Sequence, residues 1–240
     1  METNSPKSND STLFVLLAVT FLTISLLAFG QKLILDPILG RSSLSTEKIV
    51  HGVLFFSWNL LFLAQTLLIK RSNFKHHKYL GYAGIGLISL VLLDGCIMSI
   101  GYANAFIPTE NIGDLIIRAS GVWANIHVLL ATLILVTLAV VYRRRPPLHQ
   151  RFMLLAATSM MTGPLSRIAS FGVIPLHEGA VVFSGLFILL LIPILYEFVK
   201  HKKASSIYLW NLPLYFITLI IFAAVIPMTQ FGQSAVFWFK

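Results

Sequence analysis

Seven apolar runs of about 20 residues recur along this chain, and each is long enough to cross about 30 Å of hydrocarbon as one helix. They are Leu13–Ile34, Lys48–Ile69, Tyr79–Tyr102, Gly121–Val141, Phe152–Val173, Gly179–Val199 and Tyr208–Met228. Hydrocarbon offers the backbone no hydrogen-bond partner, so a crossing segment must close its own bonds as a helix. The expected fold is therefore all-α: a polytopic membrane helical bundle of about seven transmembrane helices. Only 11% of the 240 residues are charged and 57% are hydrophobic, whereas a soluble domain carries about 25% charged residues. Too little charge remains to cover an aqueous surface, which makes the lipid bilayer the expected solvent and partner. The fifth run is the weakest, because Pro164 and Arg167 interrupt it; hydroxyls such as Thr162 can satisfy the backbone freed at such a kink.

The expected organisation is a disordered polar tail over residues 1–11, a single transmembrane domain over 12–229 and a short outer tail over 230–240. The first run is too long for a cleavable signal peptide and lacks a small-residue cleavage site. Cys96 is the only cysteine, which excludes an intrachain disulfide and cysteine-based metal clusters.

Loop charge gives the bundle a direction. Lys70, Arg71, Lys75 and Lys78 lie between runs two and three, Arg143, Arg144, Arg145 and Arg151 between four and five, and Lys200, Lys202 and Lys203 between six and seven. The alternate loops carry Glu110 and Asp114 against Arg118, or Glu178 alone. Basic loops face the cytoplasm, so the N-terminus is expected inside and the C-terminus outside. Trp58, Trp123, Trp210 and Trp238 fall near span ends or in outer halves, as an aromatic belt does. The net charge of +9 then reflects loops facing anionic lipid, and nucleic acid is not an expected partner.

Chemistry, if any, is expected among the histidines of spans two to five. This topology puts His51 and His127 toward the outer face and His76, His77 and His149 at the inner ends of spans three and five. Facing helices of a bundle commonly hold a metal or haem between such side chains, and imidazole is a suitable axial ligand for haem iron. Asp94 and Arg167 are intramembrane charges roughly 9–14 Å below the outer boundary; each needs a partner or a wet cavity. At helical spacing Arg167 shares a face with His149. His51, Trp58, Gln65 and Thr66 form a further stripe on span two, and Trp123 precedes His127 by one turn. Gly81, Ala83, Gly84 and Gly163 would permit close helix approach. Plainer readings stand beside these. Histidines at basic headgroup segments, His201 above all, need no function; His177 sits in a short outer turn; Asp94 and Arg167 can be a structural ion pair; and Glu197 lies close enough to the end of its span to reach water. Spans two–three and four–five also read alike, His51 to His77 and His127 to His149, at spacings of 26 and 22 residues. Duplication and coincidence both account for so few matching positions.

The segments Phe74–Gly81 (FKHHKYLG) and Pro147–Leu155 (PLHQRFMLL), with Arg167 following, resemble a family of uncharacterised bacterial multi-pass proteins that repeats a His on one span and a His-Arg/Lys pair opening the next. This chain departs from a strict His-Arg pair, with His77-Lys78 and His149-Gln150-Arg151. The arrangement is also topologically similar to two-haem transmembrane cytochromes b. Together these resemblances imply a bacterial cytoplasmic (inner) membrane location, from the first, and haem b as cofactor, from the second. His51 and His127 would be the iron ligands of an outer haem, His77 and His149 those of an inner one, and Arg167 would serve a propionate. A quinone or a redox partner would exchange electrons with such a protein.

The leading expectation is thus a b-type haem electron-transfer protein. A proton-coupled transporter lined by Asp94, Arg167 and His127 is the alternative, favoured where helices are discontinuous near Pro164 or Pro193. A non-catalytic assembly or scaffold protein is a further class. A seven-span metal hydrolase fits poorly, because the last span has neither histidine nor acid. No phosphate-binding glycine loop or HExxH helix is present, and Ser166 lacks a GxSxG setting, so no established enzyme class is legible.

Overall fold

A computed structural model describes residues 8–30, 34, 36–40, 44–107, 111–171 and 176–238. Every regular element in it is helical: α1 (Ser8–Gly30), the single turn α2 (Asp36–Ile38), α3 (Thr46–Lys70), α4 (Phe74–Asn104), α5 (Ile112–Val141), α6 (Pro146–Ser159), α7 (Thr162–Ser170), α8 (Glu178–His201), α9 (Ser206–Ile220) and the short α10 (Gln230–Ser234). Six segments among the described residues are long and apolar enough to cross a membrane: those beginning at Ser11, Thr46, Phe74, Ile112, Glu178 and Ser206. The chain belongs to the multi-pass helical membrane class.

Several boundaries differ from the sequence-based expectation. The first helix begins at Ser8, inside the stretch expected to be a disordered tail; residues 1–7 lie outside the described residues. The fourth span begins at Ile112, nine residues before the apolar run at Gly121, because Asn111 caps it by accepting from the Asp114 N–H at 3.0 Å. Asp114 then sits in the first turn, where a negative charge suits the helix dipole. Glu110, expected in the same loop, lies outside the described residues. The fifth expected span, Phe152–Val173, is not one helix but two, α6 and α7, separated at Met160–Met161. Pro164 has no N–H, and its ring crowds the carbonyl four residues earlier, which is that of Met160; this places the break. The seventh span keeps α geometry only to Ile220. It continues as a π turn (Ile221–Val225) and a 3-10 turn (Ile226–Met228), with Pro227 denying a donor to Ala223. Pro193 and Pro213, in contrast, lie inside α8 and α9.

The chain forms two compact units, one of residues 1–91 and 160–186, the other of 92–159 and 187–240. In the first, α1 packs on α3 and α7; Phe21 meets Phe62, and Phe29 meets Phe55 and Phe56. The α3–α4 hairpin is closed by bonds from Asn73 N–H to the Leu68 carbonyl and from Ser72 N–H to the Ile69 carbonyl, at 2.8 and 2.9 Å. Ser72 stands at φ 55°, in the position that ends a helix of this kind and usually belongs to glycine.

In the second unit α5 packs on α6, α9 and the turns that follow α9. The segment 230–238, expected as an outer tail, folds back and joins a core with Ala103, Phe106, Ala119, Val122 and Trp123; Val236 is fully buried. Trp123 Nε1–H donates to the Gly232 carbonyl at 2.9 Å. Its ring also touches Phe222, Phe231 and Trp238, with centroids 5.7–5.8 Å apart.

Candidate functional site

The polar residues at membrane depth sort between the two units. The first holds the α3 stripe expected from sequence. Trp58 is buried, His51 lies against Phe55 and Thr66 bonds back to the Leu63 carbonyl. Trp58 Nε1 and Gln65 Oε1 are buried with no partner among the described residues. Arg167, exposed on α7, stacks 5.2 Å over the Phe29 ring, so α1 supplies its neighbour. His77 is half-buried on α4, while the exposed His76 bonds to Asn73 Oδ1 at 2.8 Å and helps cap that helix. His177 accepts from the Gly179 N–H, at the start of α8, and Ser166 Oγ donates to the Glu178 carboxylate; both are local structural bonds.

The second unit holds the better-defined cluster. His127 is 4% exposed, which places an ionisable ring in the protein interior. Its Nε2 lies 2.9 Å from Thr218 Oγ1 on α9. The Thr218 hydroxyl itself donates to the Leu214 and Tyr215 carbonyls, at 2.8 and 3.0 Å. Its proton is therefore engaged, and the shared bond with histidine is satisfied when Nε2 carries the hydrogen and threonine oxygen accepts it. Nδ1 is then the lone-pair nitrogen. It is buried with no partner among the described residues, and such an atom is costly unless something satisfies it. Tyr215 and Phe222 wall the ring, with centroids 4.9 and 5.6 Å away. Beside Tyr215, whose hydroxyl is 3.5 Å from the Ser159 carbonyl, Thr132 and Ser159 share a hydroxyl–hydroxyl bond of 3.0 Å. Ser159 is the last residue of α6, so this cluster lies at the C-terminal end of that helix.

Sequence reasoning passes over α9 because it carries neither histidine nor acid. The signal there is of another kind. Tyr208, Asn211, Tyr215 and Thr218 fall at i, i+3, i+7 and i+10, one face of a helix, and Tyr208 and Tyr215 are both buried. Glu197 also matters more than its place near a span end suggests. Arg151 Nε and Nη2 both donate to its Oε1, at 2.9 and 2.7 Å, and its Oε2 accepts the Ser205 N–H at 2.7 Å. The Arg151 guanidinium lies 5.9 Å from the Tyr208 ring centre. His149 bonds locally as well, its Nδ1 lying 2.8 Å from the Ala139 carbonyl; a carbonyl only accepts, so Nδ1 carries the hydrogen. Asp94 is half-buried on the part of α4 that belongs to the second unit.

Of the expected site residues, then, His51, His77 and Arg167 belong to the first unit and Asp94, His127 and His149 to the second. Among the described residues no group of three or more His, Cys, Asp or Glu side chains gathers as a metal site would. Comparison with family models, with characterised proteins and with solved structures finds no match to this chain.

Proposed function

We propose that this chain is a proton-coupled transporter, with His127 as the group that takes up and releases the proton. One observation carries the reading: a buried intramembrane histidine whose Nε2 is held by Thr218 while Nδ1 has no partner among the described residues. Intramembrane ionisable groups are expensive and mark ion pathways. Transporters place such groups where helices lose regular geometry, and here α6 ends at Ser159 and α9 gives way to a π turn that contains Phe222. The alternating loop charge supports a bundle of seven crossings with the N-terminus on the cytoplasmic side and the broken α6–α7 segment as the fifth.

The test uses the full chain in vesicles that trap a pH-sensitive dye, challenged with a panel of organic anions, cations, amino acids and sugars. At least one solute class is expected to drive proton movement. His127→Gln, which keeps a hydrogen-bonding side chain but cannot titrate, is expected to reduce that movement to the level of empty vesicles. Coupled flux that persists in His127→Gln would refute the role given to this residue.

A second reading, b-type haem electron transfer with a quinone or another redox partner, is favoured by His149. An Nδ1–H bonded to a backbone carbonyl is the outer bond that metal-ligating histidines commonly make. His127 fits that role less well, because its Nε2 is already committed and rings wall it. Haem would supply one-electron chemistry; the chain's part would be to hold the His149 ring in one tautomer through Ala139. Purified protein from haem-supplemented cells is expected to show no Soret band if the transporter reading holds. A reducible band lost in His149→Ala would reverse the order of the two readings.

A further inference from the structure

The polar face of α9 is longer than His127 alone requires. Thr218 serves the histidine, but Tyr215, Asn211 and Tyr208 continue the same face for about 15 Å, ending where Arg151 lies over the Tyr208 ring and bonds to Glu197. Hydrocarbon-facing helices have no use for such a stripe, because each buried polar group must find a partner. Two atoms along it have none among the described residues: His127 Nδ1 at one end and Asn211 Oδ1 in its middle. They lie on different helices, about two turns apart along the axis of α9. Buried polar atoms that the protein leaves unsatisfied are characteristically served by water.

We propose that Tyr208, Asn211, Tyr215 and Thr218 line a water path within the second unit, leading from the Arg151–Glu197 pair toward His127. The proposal rests on the proton-transport reading and gives the proton its route. Glu197 and Arg151 stand at the mouth. Tyr208 and Asn211 follow, and the Tyr215 hydroxyl stands beside Ser159 before the path reaches His127. The titratable and charged groups recorded against the path are Arg151, Glu197 and Tyr208 at the mouth and Tyr215 beside the histidine. Water passes the proton along by accepting one hydrogen and releasing another, so no oxidant or further reactant is involved.

Thiol labelling tests the path without reference to any transported solute. In a Cys96→Ser background, Asn211→Cys and Thr218→Cys are compared with Ile217→Cys, which replaces an outward-facing residue that is 56% exposed. The full chain is held in open bilayer discs and treated with a small, charged methanethiosulfonate. Thiolate is the reacting form, and it needs water around it. Asn211→Cys is therefore expected to react at least about ten-fold faster than the lipid-facing control, and faster still when Glu197→Gln loosens the mouth. Rates at Asn211→Cys no higher than at Ile217→Cys overturn the proposal. Reaction at Thr218→Cys without reaction at Asn211→Cys also overturns it, because water would then arrive from the opposite end. If a cysteine variant fails to purify as a single species, the unsubstituted chain answers the question. With selective 15N-asparagine labelling, the Asn211 side-chain amide exchanges into D2O rapidly along a wet face and slowly in a dry one. A dry Asn211 sinks the route alone, and proton flux in His127→Gln judges the histidine separately.

Discussion

Gly232→Ala is expected to destabilise the chain by about 3 kcal/mol, which lowers the unfolding midpoint in detergent by roughly 6–12 °C. The added methyl would fall well inside van der Waals contact with the Ile226 carbonyl oxygen, and only 2.9 Å from the Pro227 nitrogen. Both obstacles are backbone, so no rotamer change relieves them. Pro227 itself holds the chain in the 3-10 turn that brings Ile226 to this place. The relaxation available is for residues 230–238 to leave α5. That would break the bond from Trp123 Nε1 to the Gly232 carbonyl and expose Val236. Tryptophan fluorescence should therefore shift red as well, because Trp123 and Trp238 lose each other's rings. Gly86→Ala is the control. Nothing lies within 4 Å of the place its methyl would take on α4, and alanine is the better helix former by about 1 kcal/mol. Equal midpoints for the two variants would show that the C-terminal segment is not held as described.

Much of this architecture is legible in the residues. Apolar length alone marks the six long helices, since hydrocarbon admits little else. Prolines illustrate where that legibility stops. Pro164 and Pro227 each coincide with lost α geometry, at Met160 and at Ala223, four residues upstream in both cases. Pro193 and Pro213 do not, and nothing in the local sequence separates the two pairs. Whether neighbours can satisfy a freed carbonyl is decided by packing. The C-terminal segment is a similar case: a short stretch of mixed polarity reads as a tail, and becomes a core element only because Trp123 and Phe106 are there to receive it.

The site was half legible for a physical reason. Searching for ionisable residues finds His127 and the His149–Arg151 segment, since a charge at membrane depth is costly enough to need explanation. It does not find hydroxyls and amides, whose cost is smaller and whose presence in a span is common. Thr218, Tyr215 and Asn211 acquire meaning only once α9 lies against α5. Glu197 is undervalued for a different reason. Its sequence position allows it to reach water, but its side chain is only 12% exposed, because Arg151 and the turn at Ser205 close around it.

Glu197 is accordingly the residue whose loss should cost most among the charges. One carboxylate joins three elements: α6 through Arg151, α8 through its own backbone, and the start of α9 through the Ser205 N–H. Ser205 in turn caps α9 by accepting from the Ile207 N–H at 3.3 Å. Glu197→Ala leaves the Arg151 guanidinium, 20% exposed, without its carboxylate and leaves the Ser205 N–H without an acceptor. Removing one member of a largely buried pair costs about 3 kcal/mol or more, because the remaining charge has lost its solvent as well as its partner. Glu197→Gln retains an acceptor for Ser205 and should recover about 1 kcal/mol of that loss. Arg151→Ala combined with Glu197→Ala should cost less than the sum of the two single changes, by about 1–3 kcal/mol, since each single variant already forfeits the shared bonds. Additive costs in that cycle, measured by thermal unfolding, would mean that the two side chains do not act as a pair. Coupled costs would tie α6, α8 and α9 together at the end of the polar face that leads to His127.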